Sequence, residues 1–163
     1  LMSIFCTNSL MIAGSANVES NPNSSWLSTR GAWAAYCSSV FLLFIFLFLV
    51  ISVPADYVYT ATNVLHNFAM YIIMHQIKGA PWLAVDQGEC RRLTFWEQID
   101  SGVQFTATKK FMSVFPILLF LITNIANNYK FDHFLVNLLS LLVVLLPKSP
   151  QFHKVRVFGI NKY

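Results

Sequence analysis

Residues 33–53 read WAAYCSSVFLLFIFLFLVISV, and no charged residue stands between Arg30 and Asp56. A helix needs about 20 apolar residues to cross roughly 30 Å of hydrocarbon, so this stretch is long enough to span a membrane. Trp33 and Tyr36 are suited to its interface, and Pro54 closes it because a proline cannot continue the helical hydrogen-bond ladder. Three more uncharged runs follow. Residues 57–77 lie between Asp56 and Lys78, 111–129 between Lys110 and Lys130, and 131–147 is adequate once Lys130 and Lys148 snorkel out of the apolar layer. The predicted fold class is therefore an all-α membrane protein of four transmembrane helices.

Composition agrees. Of 163 residues 56% are hydrophobic and 11% charged, against about 25% charged in a soluble domain. Little chain remains for a separate soluble catalytic domain. The net charge of +4 is spread over segment ends, which fits membrane orientation better than nucleic-acid binding. Cys6, Cys37 and Cys90 have no metal-ligand spacing.

Charge placement predicts orientation. The connection 78–110 holds five basic residues, Lys78, Arg91, Arg92, Lys109 and Lys110, and the tail 148–163 holds four, with no acidic residue. Connections 54–56 and 130–132 hold only Lys130 between them. The positive-inside rule then puts the long connection and the C-terminal tail in the cytosol, and four crossings put the N-terminal tail there too. The formal sequon Asn23-Ser24-Ser25 would then go unused. The expected organisation is an upstream extension over 1–10, with the true start at Met11 or Met2, a cytosolic tail over 11–32, a four-helix domain over 33–147 and a cytosolic tail over 148–163.

The second run is the most polar. Asn63, His66 and Asn67 stand at i, i+3 and i+4 and so share a face. Polar groups are costly in lipid, so the face is expected to look into the bundle, as interhelical hydrogen bonds or as the lining of a lipid or ion path. His66 and His75 are about half a turn out of phase and cannot share a metal from one helix. No metal, catalytic triad or phosphate loop is suggested. In the connection, Leu93, Trp96, Ile99 and Val103 recur at helical spacing, which predicts an amphipathic helix lying on the membrane surface or on a partner. Glu97 and Asp100, like Asp86 and Glu89, are expected to be solvated or at an interface.

Specific motifs run in order along the chain. They include NPN (21–23), SVP (52–54), LHN (65–67), MYI (70–72), KGAP (78–81), DQG (86–88), WEQID (96–100), GVQFTATKKF (102–111), LLPKSPQFH (145–153) and VRVFGINKY (155–163). Together they closely resemble the ORMDL/Orm family from about Met11 to Tyr163. The resemblance implies a four-helix protein of the endoplasmic reticulum membrane with both ends cytosolic. It also implies a partner, the pyridoxal-phosphate enzyme serine palmitoyltransferase, which the family restrains when ceramide is abundant. On that reading the chain is a non-catalytic negative regulator of sphingolipid synthesis with no cofactor of its own and ceramide as regulatory ligand. Asn23, the second asparagine of NPN, would contact ceramide, and Met11, Asn21, Pro22 and Asn23 would belong to the inhibitory N-terminal segment. An amide suits the role, since it offers ceramide both a donor and an acceptor. Phe95 departs from the family pattern, which has a histidine before WEQ, so a polar contact is expected to be missing there. The competing readings are a structural membrane adaptor without lipid sensing and a small intramembrane enzyme built on the His66 face.

Overall fold

The computed structural model describes residues 22–81 and 88–155, with backbone only at Pro22, Asn23, Ser28, Gly88 and Glu89. The chain is all-helical apart from a single antiparallel bridge between Lys78 and Thr94 among the described residues. Its long helices are α1 (Ala32–Val50), α2 (Ala55–Tyr71), α3 (Ala107–Ala126) and α4 (Phe131–Leu145). Among the described residues, three helices are long and apolar enough to cross a membrane: Ala32–Val50, Ala107–Ala126 and Phe131–Lys148. The last reaches that length because a 3-10 turn, Leu146–Lys148, continues α4.

α2 differs in kind. Its α-helix stops at Tyr71 and a π-helical stretch, Ile72–Gln76, carries the chain on. α2 is central: it packs against α1, α3 and α4, and α3 packs against α4. Its buried positions are Val58, Thr62, Asn63, His66 and Asn67, a helical stripe with one apolar member. α1 buries only Val40 and Leu47, and Phe41, Leu42, Phe46, Phe48 and Leu49 stand exposed around it.

The main apolar cluster lies at one end of the bundle. Leu27, Met74, Phe95, Trp96, Ile99 and Met112 are buried together, with Tyr36, Met70 and Phe111 packed on them. Here the structure corrects the sequence reading. The amphipathic helix expected over Leu93, Trp96, Ile99 and Val103 is not one helix and does not lie on a surface. The segment folds as a 3-10 turn (Gly88–Arg92), a short α-turn (Phe95–Gln98) and a second 3-10 turn (Ile99–Gly102). Asp100 and Ser101 take positive φ of 51° and 55°, which breaks the helical run and tucks Trp96 and Ile99 inward, leaving Val103 exposed. The α-turn starts with a capping box: Glu97 accepts from the Thr94 backbone N–H at 2.8 Å, and the Thr94 side chain caps the other way. Glu97 is thus buried, not solvated. Phe95 is buried in the cluster with its ring centroid 6.2 Å from that of Trp26, so it contributes packing in place of a polar contact.

A second correction concerns Lys148. It does not snorkel outward: it is 6% exposed and donates to the Met112 carbonyl at 2.7 Å. The cause lies in the helix it reaches. Pro116 sits inside α3 and has no N–H to offer the carbonyl four residues before it, which is Met112. An orphaned buried carbonyl is costly, and the Lys148 ammonium supplies the missing donor. The proline in α3 and the lysine at the end of α4 therefore form one structural unit.

Candidate functional site

The sequence singles out two places, the N-terminal turn and the polar face of α2. Of the first, Met11 and Asn21 lie outside the described residues. Pro22 and Asn23 open a helical turn, Pro22–Ser25, that runs into a 3-10 turn, Trp26–Ser28. The turn is held against the apolar cap. Ser24 Oγ donates to the Gln98 carbonyl at 3.3 Å, and Leu27 is buried in the cluster. Gly31, at φ 88°, then reverses the chain into α1, a conformation that glycine adopts without a Cβ penalty. A cavity of about 440 Å³ follows the turn, lined by Leu27, Thr29, Gly31, Trp33, Ala34 and Thr108. The Trp33 ring that walls it stacks on Phe111, with centroids 4.7 Å apart.

The second place is a continuous hydrogen-bonded seam. Asn63, His66 and Asn67 are all buried and face inward. His66 Nε2 meets Tyr36 Oη of α1 at 2.6 Å, and His66 Nδ1 meets Asn67 Oδ1 at 3.0 Å. Asn67 Nδ2 donates to Asn63 Oδ1 at 3.3 Å and to Ser140 Oγ of α4 at 3.0 Å, and Asn63 Nδ2 donates to Asn137 Oδ1 of α4 at 2.8 Å. Farther along, Thr60 Oγ1 receives Asn127 Nδ2 at 2.8 Å and lies 2.9 Å from His133 Nδ1. The seam ends in an ion pair between Lys130 and Asp56. The hydrogen bond to Asp56 holds the Lys130 ammonium above its usual pKa.

This geometry ties α2 to α1 and α4 through side-chain hydrogen bonds. Asn63, Asn67 and Asn137 each bond a neighbour on another helix, while the Asn127 side-chain oxygen is buried without a hydrogen-bond partner among the described residues; the His66 ring is enclosed by Tyr36, Phe115 and Asn67. Among the described residues, no group of three His, Cys, Asp or Glu side chains gathers as a metal set would require. The face of α2 was legible in the sequence, but its partners Tyr36, Asn137 and Ser140 were not. Asn137 and Ser140 sit at i and i+3 in the fourth apolar run, and that spacing is the one signal that could have found them.

The comparisons with known proteins cover nearly all of this architecture. The ORMDL family model matches residues 21–156, from the Asn21 that begins NPN to beyond the last described turn. The chain belongs to the ORMDL family. It is 50% identical to mouse (Mus musculus) ORM1-like protein 2 over 153 residues, which is 94% of this chain and all of that protein. Human (Homo sapiens) ORM1-like protein 3 is 47% identical over the same shares, and an ORM1-like protein of Drosophila melanogaster is 51% identical over 145 residues, 89% of this chain and 94% of the relative.

Proposed function

We propose that the chain is a non-catalytic regulatory subunit of serine palmitoyltransferase in the endoplasmic reticulum membrane, lowering that enzyme's activity when ceramide is abundant. The observation that carries the reading is the family match over 21–156, which includes NPN. The fold supports it in two ways. The turn that bears Asn23 is anchored by Ser24 and Leu27 onto the cap, so a ligand held there would act on a fixed platform. The adjoining cavity has apolar walls in Leu27 and Trp33 and hydroxyl-bearing Thr29 and Thr108, a combination that suits a lipid with a small polar head. An interface amide left unpaired costs about 1–3 kcal/mol, or roughly five- to more than a hundredfold in affinity, which is enough for a sensor.

In this reading α2 is the fourth span. Its α and π portions together, residues 55–76, run roughly 30 Å, the thickness of the hydrocarbon layer. Its polar stripe is tolerated because it faces α1 and α4, not lipid. Four spans place both termini on one side, and the basic connection and tail make that side the cytosol.

The test is serine palmitoyltransferase activity in membranes containing this protein, with and without added ceramide, for the wild type and for Asn23→Ala. Ceramide should lower activity with the wild type, and Asn23→Ala should blunt the response about tenfold or more in the ceramide concentration required. A complex that forms yet ignores ceramide would make the protein an adaptor. Activity intrinsic to the purified chain and lost in His66→Ala would make it an enzyme.

A further inference from the structure

At the end of the bundle where α3 begins and α4 finishes, a cavity of about 240 Å³ is lined by Trp96, Gln104, Phe105, Lys109, Lys110, Ser113, Val114, Lys148 and Pro150. Three of these residues are cationic and none is a carboxylate. Lys109 is 3% exposed, and its ammonium has no hydrogen-bond partner among the described residues. It lies over the face of Trp96, 5.6 Å from the ring centroid, and Lys148 stands at the same distance from that ring. No ion pair joins Lys109, Lys110 or Lys148 to an acid among the described residues. Asp100 and Glu97 both come near enough to attract Lys109, but its ammonium hydrogen-bonds to neither, and Glu97 accepts from its own cap. A buried ammonium with three donors unused is expensive to maintain, and a cation–π contact at this distance offsets only about 1–2 kcal/mol of that.

We infer that this cavity binds the phosphate headgroup of an anionic membrane phospholipid, with Lys109 and Lys110 as its charged ligands and Lys148, already fixed on the Met112 carbonyl, as the third. Phosphate supplies the hydrogen-bonding anion that Lys109 lacks, and a charge-assisted bond to it is about twice as strong as a neutral one. Size favours a headgroup over a whole lipid, because the cavity falls below the roughly 300 Å³ at which sites for drug-sized ligands begin. The acyl chains have a path of their own: Val114, Leu118, Leu121 and Ile125 form an exposed stripe running down α3 from the cavity mouth. The lining itself offers three ammonium groups and no carboxylate, which favours an anionic headgroup over a zwitterionic one. The site is separate from the Asn23 turn and does not depend on the regulatory reading.

The experiment titrates the purified full chain in nonionic detergent with dioleoyl phosphatidic acid, with dioleoyl phosphatidylcholine and with sodium phosphate, and reads bound lipid by native mass spectrometry. One phosphatidic acid should bind, at least tenfold more tightly than phosphatidylcholine. Lys109→Gln removes a buried unpaired charge and should keep the fold while weakening phosphatidic acid binding about ten- to a hundredfold. Lys110→Gln, at an exposed position, should weaken it less, and Lys130→Gln, the same charge change elsewhere on the surface, should leave it unchanged. Equal binding of the two lipids, or equal loss in Lys130→Gln, overturns the site. Inorganic phosphate that binds as tightly as phosphatidic acid overturns the lipid assignment.

Discussion

Helix α1 is apolar around its whole circumference and buries only Val40 and Leu47, whereas α2 carries Asn63, His66 and Asn67 and is the helix that all the others touch. In a water-soluble bundle the ranking would be reversed, and the most apolar helix would be central. In lipid, apolar side chains gain nothing by meeting one another, since the acyl chains are equally apolar. Association must come from close packing and from polar groups that have nowhere else to bond. The helix with the most amides therefore becomes the core, and the greasiest helix is left at the rim.

If this reasoning holds, substitutions inside the bundle should cost most where a polar group meets a need that nothing else meets. The sharpest case is Lys148. Lys148→Met orphans the Met112 carbonyl and should destabilise by about 2 kcal/mol. In a Pro116→Ala background the residue at 116 can donate to Met112 itself, and Lys148→Met should then cost markedly less. Equilibrium unfolding of the four proteins in detergent measures the coupling. The same cost in both backgrounds would sever the proline from the lysine.

Next comes the seam. Asn63 donates to Asn137 and accepts from Asn67, so Asn63→Leu removes two hydrogen bonds and leaves two amides to find new partners. The bond to Asn137 crosses between helices and that from Asn67 lies within α2; interhelical side-chain bonds in membranes average about 0.6 kcal/mol and reach about 1.7, so a loss of about 1–1.5 kcal/mol is expected from the same unfolding measurement. A stabilising Asn63→Leu would mean that the amides serve something other than cohesion. Tyr36→Phe is smaller, about 0.5–1 kcal/mol, because one bond to His66 is lost while the ring keeps its edge contact with Phe115. Combined with His66→Leu it should add almost nothing, since the bond is already gone.

The contrast also explains what the sequence could and could not disclose. α1, α3 and α4 were legible from their uncharged runs, because a span is a local property of about 20 residues. The inward face of α2 was legible too, from Asn63, His66 and Asn67 at helical spacing. Their partners were not, because Tyr36 and Asn137 lie 30 and 74 residues away from the side chains they bond. The cap was misread for a different reason. Leu93, Trp96 and Ile99 do follow a helical period, but the positive φ at Asp100 and Ser101 and the apolar Phe95 turn that pattern into a folded plug. Lys148 followed the usual preference of a terminal lysine for the interface until Pro116 is considered, whose missing N–H is a local signal of a need met 36 residues away.

The weakest effects should lie on α1. Leu49 is exposed on that helix, and in a bilayer its side chain exchanges one apolar neighbour for another when the protein unfolds within the membrane. Leu49→Ala should therefore cost less than about 0.5 kcal/mol in the isolated chain, against about 2–5 kcal/mol for the same change in a soluble core. The useful version of this measurement is made twice, on the purified chain and on the chain assembled in native membranes. A substitution that is silent alone but weakens recovery of an assembled complex would show that another helix, not lipid, covers this side of α1. One that is silent in both would leave α1 facing lipid and confine partner contacts to the cap, where the N-terminal turn, Trp96 and the lysines converge. A cost above 2 kcal/mol in the isolated chain would contradict the comparison itself, because it would mean that the apolar rim holds the bundle together as strongly as its polar centre does.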